Sequence, residues 1–255
     1  RPALAARLGL PGHCQIHVGV HDSNACLARY PGAAELTLVS SGTWTVIMAP
    51  GAKIPAQAAQ RDMLCNVNVQ GQPTPTARFM GGREFAVLLD GARPDAGSVD
   101  DVAEIMASQT FALPSFAPQG GPFMDRQGVV VQAGVPLAPG ALPEGQRSAL
   151  AALYCALLTA WLVRQLRPAR EPSAGRLVVE GPLAGNRLYM GLLQSLLPGE
   201  PCFSSTDELE GTARGAWLLA QDTLRVQGLY LSPAPELPVA GLAGYQQQWL
   251  GIIQA

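Results

Sequence analysis

Apolar and polar residues follow two different periods along this chain. In the first third the runs are short and strand-like, and Gln15 to Val20 alternates with a period of two, with Ile16, Val18 and Val20 on one face. Such runs lie at Gln15 to Val20, at Leu36 to Val39 with Thr45 to Met48, and at Met63 to Val69 with Thr76 to Met80. Residues that favour turns separate the two strands of each pair, so the sequence predicts a lone strand followed by two strand pairs.

A helical period dominates the remainder, and one short strand interrupts it. Arg176 to Glu180 is an apolar run that predicts a buried strand, and Gly181 to Gly185 is a small-residue turn. Ser98 and Asp101 have the spacing of a capping box. The predicted helices are residues 2–10, Asp22 to Tyr30, Gly82 to Leu89, Ser98 to Ala107, Pro143 to Leu166, Asn186 to Leu197 and Gly211 to Arg225.

Two proline-rich segments have no clear period. Residues 111–143 contain one strand-like run, Val129 to Val131, and we predict a long irregular insertion there. Residues 229–255 predict a tail with one final helix. Strands followed by interleaved helices predict an α/β domain, with a mixed sheet flanked by helices.

Composition indicates a protein that buries an apolar core. Of the 255 residues, 48% are hydrophobic and 14% are charged, and the net charge is −2, so we expect no nucleic-acid surface. The apolar run Ala149 to Val163 is shorter than the roughly 20 residues that span a bilayer, which predicts a core helix and no membrane segment. Five scattered cysteines without CxxC spacing predict reduced thiols in a cytoplasmic protein.

Asp22 is an acid placed directly after the first predicted strand. A carboxylate in such a position can take the proton of a substrate hydroxyl during phosphoryl transfer. Aspartate is also a preferred helix N-cap, and the spacing alone favours that structural role. The two roles are compatible.

Three small-residue turns are candidate ligand sites. Backbone N–H groups and hydroxyls of the turn SSGT at residues 40–43 can hold phosphate oxygens, although the same residues are common in ordinary β-turns. EGPLAGN at residues 180–186 and EGTARGA at residues 210–216 lead into helices, and each can admit a ligand or serve only close packing. Neither GxxxxGK[ST] nor GxGxxG occurs in the sequence.

His13, His17 and His21 recur every four residues, with Cys14 beside the first. In a strand, the Cα atoms of His17 and His21 would lie about 13 Å apart, which is too far to share one metal ion. We therefore predict no metal site here.

Taken in order, GVHDSNA, SSGTW, EGPLAGN and EGTARGAWLLA resemble motifs of the C-terminal half of the FGGY carbohydrate kinases. The resemblance extends from the first helix to about Ala220. The GTW form and Gly121 to Phe123 lean towards the rhamnulokinase and fuculokinase side of the family. The resemblance implies an actin-like, ribonuclease H-like ATPase domain over residues 1–255. It also implies a preceding N-terminal actin-like domain, in keeping with a chain that starts at Arg1 inside a helix.

By that resemblance the protein uses ATP and Mg²⁺ to phosphorylate a small sugar. Asp22 would be the catalytic base, with His21 beside it facing the sugar. The residues implied for ATP are Ser41, Gly42 and Thr43 at the phosphates and Gly181, Ala184, Gly185 and Asn186 at adenine and ribose. Pro182 departs from the family's usual glycine pair before the adenine turn, and residues 111–134 lack its GERxP sequence.

Two other functions stay open from the sequence. One is an actin-like ATPase or phosphatase without a sugar substrate. The other is a degenerate domain that serves as an interaction module. The altered turn at Pro182 is the feature that favours this second alternative. The sequence does not decide which sugar is bound or whether the protein forms a homodimer.

Overall fold

The computed structural model describes residues 2–30, 36–54, 61–167, 175–206, 211–221 and 231–254. These residues form eight α-helices and ten β-strands. The helices are α1 (Pro2–Arg7), α2 (Asp22–Ala28), α3 (Gly81–Leu89), α4 (Val99–Ala107), α5 (Glu144–Leu166), α6 (Arg187–Leu196), α7 (Gly211–Ala220) and α8 (Leu242–Gln254). The strands are β1 (Leu36–Ser41), β2 (Thr45–Met48), β3 (Leu64–Val67), β4 (Pro73–Phe79), β5 (Thr110–Leu113), β6 (Val129–Gln132), β7 (Val135–Leu137), β8 (Arg176–Glu180), β9 (Cys202–Ser205) and β10 (Leu231–Pro233).

A mixed sheet of seven strands, in the order β10-β9-β8-β1-β2-β4-β3, lies at the centre of the described residues. Strand β1 is antiparallel to β2 and parallel to β8, with Ser40 opposite Glu180. Since β1 and β8 run the same way in this register, the chain leaves both strands at the same edge of the sheet. Ligands of open α/β sheets bind outside the carboxyl ends of the strands, so this edge is the expected place for a site.

Helices cover both faces of the sheet. Val39, Ile47 and Val179 belong to the larger core, which includes α3, α4, α5, α6 and α8. Leu38 and Val178, one position away on their strands, belong to a smaller core with α2, against which α7 packs. Successive strand residues point to opposite faces, and both faces of β1 and β8 are buried, so helices pack on each side of the sheet. The predicted mixed sheet flanked by helices is confirmed.

Helix α5 is the centre of the larger core. It packs against α3, α4 and α6 and is buried on all sides, as expected of a helix that is apolar all round. With 23 residues it is long and apolar enough to cross a bilayer, so our length argument from Ala149 to Val163 was wrong. However, 89% of its most apolar window is buried inside the protein, which identifies it as a core helix.

The predicted strand at Gln15 to Val20 is wrong. These residues have no regular structure and are exposed, and Val18 is 96% exposed. A strand needs a hydrogen-bonded neighbour, and the described residues place none beside this segment. The strand geometry we used to separate His17 from His21 therefore does not apply.

The insertion predicted at residues 111–143 is irregular mainly at residues 114–128, and its predicted strand-like run, Val129 to Val131, lies in β6. The segment contributes to a small antiparallel sheet, β5-β6-β7, followed by a 3₁₀ turn at Pro139–Ala141. Ala133 and Gly134 connect β6 to β7 with φ values of 49° and 80°, the signature of a tight hairpin turn. The Trp249 indole of α8 anchors the sheet by donating to the Ala112 carbonyl at 2.8 Å.

The other predicted elements agree with the structure to within a few residues. The strand pairs β1–β2 and β3–β4 are antiparallel, and α8 is the helix predicted in the tail. Ser98 and Asp101 form the predicted capping box of α4. Residues 222–225 of the helix predicted from Gly211 lie outside the described residues.

Candidate functional site

A cleft of about 440 Å³ opens at the edge where β1 and β8 end, a size typical of ligand pockets. It is formed by the turn after β1, the start of α3, the loop after α3 and the 3₁₀ turn after β8. Two of the predicted ligand-binding turns, far apart in sequence, therefore share one cleft. The lining residues are Ser41, Gly42, Thr43, Gly82, Arg83, Phe85, Pro94, Pro182, Leu183 and Asn186.

Ser41 joins the two turns. Its hydroxyl donates to the Glu180 carbonyl and accepts the backbone N–H of Leu183 at 3.0 Å. The side chain is buried, and both of these bonds lie within the protein. We expected the hydroxyls of both Ser41 and Thr43 at the phosphates. The Ser41 hydroxyl instead holds the two turns together, whereas Thr43 is exposed at the cleft.

Gly181 allows the β8 turn to approach β1 closely. Its φ is +82°, a conformation that residues with a Cβ rarely adopt. A Cβ at this position would also overlap the Ser41 carbonyl oxygen. The residue does not itself line the cleft, so its visible contribution is conformational.

The start of α3 faces the turn after β1. The N–H of Gly82 donates to the Gly42 carbonyl at 3.1 Å, and a Cβ on Gly82 would overlap that carbonyl. Met80, the N-cap residue of α3, makes no side-chain capping bond within the described residues. An uncapped helix start presents N–H groups and a partial positive charge, which favours an anion such as phosphate.

The lining of the cleft is both cationic and apolar. Arg83, in the first turn of α3, is exposed and lines the cleft together with Thr43. Phe85, Pro94 and Leu183 supply apolar surface in the same cleft. This combination suits a ligand that has both a phosphate group and a flat apolar ring.

Asn186 lines the cleft, but both ends of its side-chain amide are engaged within the protein. Its Oδ1 accepts the N–H of Tyr189 at 2.9 Å, which caps α6, and its Nδ2 donates to the Pro94 carbonyl at 3.0 Å. It therefore fixes the loop after α3 against α6. Gly185 is exposed with open space around its Cα, while Ala184 packs on the larger core, and neither lines the cleft.

Asp22 is the first residue of α2 and does not line the cleft. Its Oδ1 accepts from the N–H of Ser23 at 2.6 Å, and its side chain is 71% exposed. The N-cap of α2 is His21, whose Nδ1 accepts the same N–H at 3.3 Å, so the N-cap position that we expected for Asp22 was wrong by one residue. His21 Nδ1 and Asp22 Oδ1 lie 2.8 Å apart.

A buried ion pair connects α2 to the end of β8. Arg29 Nη1 lies 2.5 Å from Glu180 Oε1, and the Tyr30 hydroxyl donates to the same oxygen. Glu180 is only 4% exposed and directly precedes Gly181. The ion pair therefore ties the helix that carries Asp22 to the turn that borders the cleft.

Two further buried groups lie near these elements. Burial raises the pKa of the Cys26 thiol to about 11, so it stays protonated and unreactive at neutral pH. Burial also raises the pKa of Glu84, partly offset by hydrogen bonds from the Tyr154 hydroxyl and the Phe116 N–H. Glu84 lies one turn into α3, where it anchors the start of that helix to α5.

Sequence reasoning missed the contribution of α3 to the cleft. Gly82, Arg83 and Phe85 line it, although we predicted only a helix there. The pair Gly81-Gly82, placed between a strand and a helix, was the available signal, because glycine at such a junction permits close approach of the backbone. Among the described residues, no group of three His, Cys, Asp or Glu side chains is arranged to hold a metal ion.

Residues 33–227 match the family described as "Carbohydrate kinase FGGY, C-terminal domain". The chain belongs to this family of carbohydrate kinases, of which it is a C-terminal domain. The expected ribonuclease H-like, actin-like fold is thereby confirmed. No curated protein matches the chain by sequence.

Solved structures of kinases have the same fold. A carbohydrate kinase from Novosphingobium aromaticivorans is 29% identical, with a TM-score of 0.76, and xylulose kinase from Rhodospirillum rubrum is 18% identical, with a TM-score of 0.72. Gluconate kinase from Lactobacillus acidophilus is 12% identical, with a TM-score of 0.67. All of this chain is covered in each case, but only 54%, 54% and 53% of the other chain.

The chain thus spans about half the length of these structures. From the GTW form and Gly121 to Phe123 we predicted a closer relationship to the rhamnulokinases and fuculokinases. The solved structures do not support this prediction.

Proposed function

We propose that the protein is an ATP-dependent carbohydrate kinase and that this domain holds ATP in the cleft between β1, β8 and α3. The observation that carries the proposal is the meeting of the Ser41–Thr43 turn, the Pro182–Asn186 turn and the start of α3 around one cleft. Family membership makes sugar phosphorylation the reaction to test.

The residues present fit a nucleotide. Gly82 lets the start of α3 approach the turn after β1, because a Cβ there would overlap the Gly42 carbonyl. Gly42 is exposed at the cleft without a side chain, which suits a backbone phosphate site. Thr43, Arg83 and the uncapped start of α3 would hold phosphate oxygens, and Phe85, Pro94 and Leu183 would hold the adenine. When bound, ATP supplies the phosphoryl group that is transferred.

Mg²⁺ would be held mainly by the phosphates. Among the described residues, those that line the cleft include no carboxylate, and a protein-bound Mg²⁺ usually has one or two carboxylate ligands besides phosphate oxygens. A carboxylate ligand would have to come from elsewhere in the protein.

Asp22 is our candidate for the base that accepts the proton of the sugar hydroxyl, with His21 beside it at the sugar. Its side chain is exposed, as access to a substrate requires, and the ion pair of Arg29 with Glu180 links its helix to the cleft. The proposal includes an N-terminal domain of the same protein that contributes to the sugar site.

The test is ADP release by the full-length protein, measured with and without a panel of pentoses, hexoses, gluconate and glycerol. A kinase releases ADP at a rate that one of these compounds stimulates strongly. ADP release indifferent to every compound would instead identify an ATPase, and absence of ATP binding would identify a domain without catalysis.

A further inference from the structure

A second cavity, of about 480 Å³, lies between the C-terminal half of α5, the end of α8 and residues 122–126. It shares no lining residue with the cleft proposed to hold ATP, which we call the nucleotide cleft, so it does not depend on the function proposed above. Two arginines, two aromatic rings and two glutamines line most of it. We call it the arginine cavity.

Both arginines are held in place from the side. Arg61 Nη1 donates to the Gln165 Oε1 at 2.9 Å, and its guanidinium lies 5.0 Å from the centre of the Trp161 ring. Arg126 Nη1 donates to the Ile253 carbonyl at 2.8 Å, and its guanidinium lies 5.5 Å from the centre of a phenylalanine ring. Cation–π contacts of this kind fix a guanidinium without neutralising it.

Most of the donors on these two guanidiniums are therefore available. A guanidinium carries five N–H donors, and within the described residues Arg61 and Arg126 each use one and form no ion pair. Asp125 also lines the cavity but forms no ion pair there within the same residues. The side-chain charges of the lining are thus two positive and one negative.

We propose that the arginine cavity binds a small phosphate-bearing metabolite. The phosphate accepts hydrogen bonds from Arg61 and Arg126, and Asp125 accepts from hydroxyl groups on the organic part. A phosphate matches two guanidiniums better than a carboxylate does, because it carries up to two negative charges and has three terminal oxygens that accept hydrogen bonds.

The test is calorimetric titration of the full-length protein with inorganic phosphate and with ribose 5-phosphate, with ATP present to fill the nucleotide cleft. We expect one site for each ligand, and an affinity that falls roughly tenfold or more in Arg61→Gln and in Arg126→Gln, since charged hydrogen bonds are lost. Asp125→Asn removes the negative charge of the described lining and should tighten phosphate binding severalfold. Arg176→Gln removes the same charge from an exposed position outside the cavity and should leave binding unchanged.

Three results would overturn the proposal. These are no binding of either ligand to the wild type at millimolar concentration, binding of citrate but not of phosphate, and wild-type affinity in both arginine variants. If an arginine variant melts at a lower temperature than the wild type, the Asp125→Asn variant decides, because Asp125 is exposed and its substitution should not disturb the fold. In that case unchanged or weaker phosphate affinity in Asp125→Asn contradicts the site.

Discussion

The hydroxyl of Ser41 accepts the N–H of Leu183 at 3.0 Å and so joins the two turns of the nucleotide cleft. It also donates to the Glu180 carbonyl. Removing the hydroxyl in Ser41→Ala leaves two buried backbone groups without their partner. We expect a loss of about 1–3 kcal/mol in the free energy of unfolding and weaker ATP binding, measured by urea denaturation and calorimetry.

Ser40→Ala is the matched control for this prediction. The Ser40 hydroxyl donates to the Cys26 thiol at 3.8 Å, on the face of the sheet that carries the smaller core. Ser40→Ala should therefore change neither the free energy of unfolding nor the ATP affinity much. Equal effects of the two substitutions would show that Ser41 has no special role in the cleft.

Gly82→Ala tests the close approach of α3 to the turn after β1. The added Cβ would overlap the Gly42 carbonyl oxygen, so the start of the helix must move away from the turn. We expect ATP affinity to fall at least about tenfold, because the N–H groups of α3 move from the phosphate position. Calorimetry of the full-length protein measures this ATP affinity.

Gly251→Ala is the control for the substitution itself. Gly251 lies in α8 with open space around its Cα, so alanine should leave ATP affinity unchanged and raise stability by about 1 kcal/mol. Wild-type ATP affinity in Gly82→Ala would exclude the start of α3 from the nucleotide site.

The ion pair of Arg29 with Glu180 is buried, with both side chains less than a tenth exposed. Arg29→Met leaves the Glu180 carboxylate buried without its cation, and we expect a loss of about 3–5 kcal/mol in the free energy of unfolding. Arg93→Met breaks the exposed pair with Glu144 and should change stability little. Similar losses in both variants would contradict a special role for burial.

Burial raises the pKa of Glu84, so the folded protein binds this proton more tightly than the unfolded chain does. The contribution of Glu84 to stability is therefore greatest below the ordinary carboxyl pKa and declines as the pH rises through its raised value in the folded state. Glu84→Gln should remove this decline from the pH dependence of urea unfolding. Glu104→Gln, at an exposed position, is the control and should retain the decline in stability. If the decline persists in Glu84→Gln, another group causes it.

The local elements of the site could be predicted from the sequence, but their meeting point could not. The two apolar runs on either side of the Ser41–Thr43 turn and the apolar run ending at Glu180 were sufficient to predict β1, β2 and β8. That the two turns share a cleft depends on the parallel pairing of β1 with β8, a long-range contact that no local pattern contains.

Individual residues show the same limit. Ser41 was predicted to bind phosphate, whereas its hydroxyl bonds to groups of the β8 turn that are distant in sequence. Val18 has the alternation of a strand, but a strand forms only beside a partner. The hairpin between β6 and β7 was missed because Ala133 takes a positive φ that its residue type does not favour.

Asp22→Asn in the full-length protein tests the proposed kinase most directly, through the rate of sugar-stimulated ADP release together with ATP affinity. If Asp22 is the base, the stimulated rate falls by about 10²–10⁴-fold while ATP affinity stays unchanged, since Asp22 lies outside the cleft. Asp100→Asn, an exposed acid in the first turn of α4, should keep the wild-type rate. A near wild-type rate in Asp22→Asn would contradict the account.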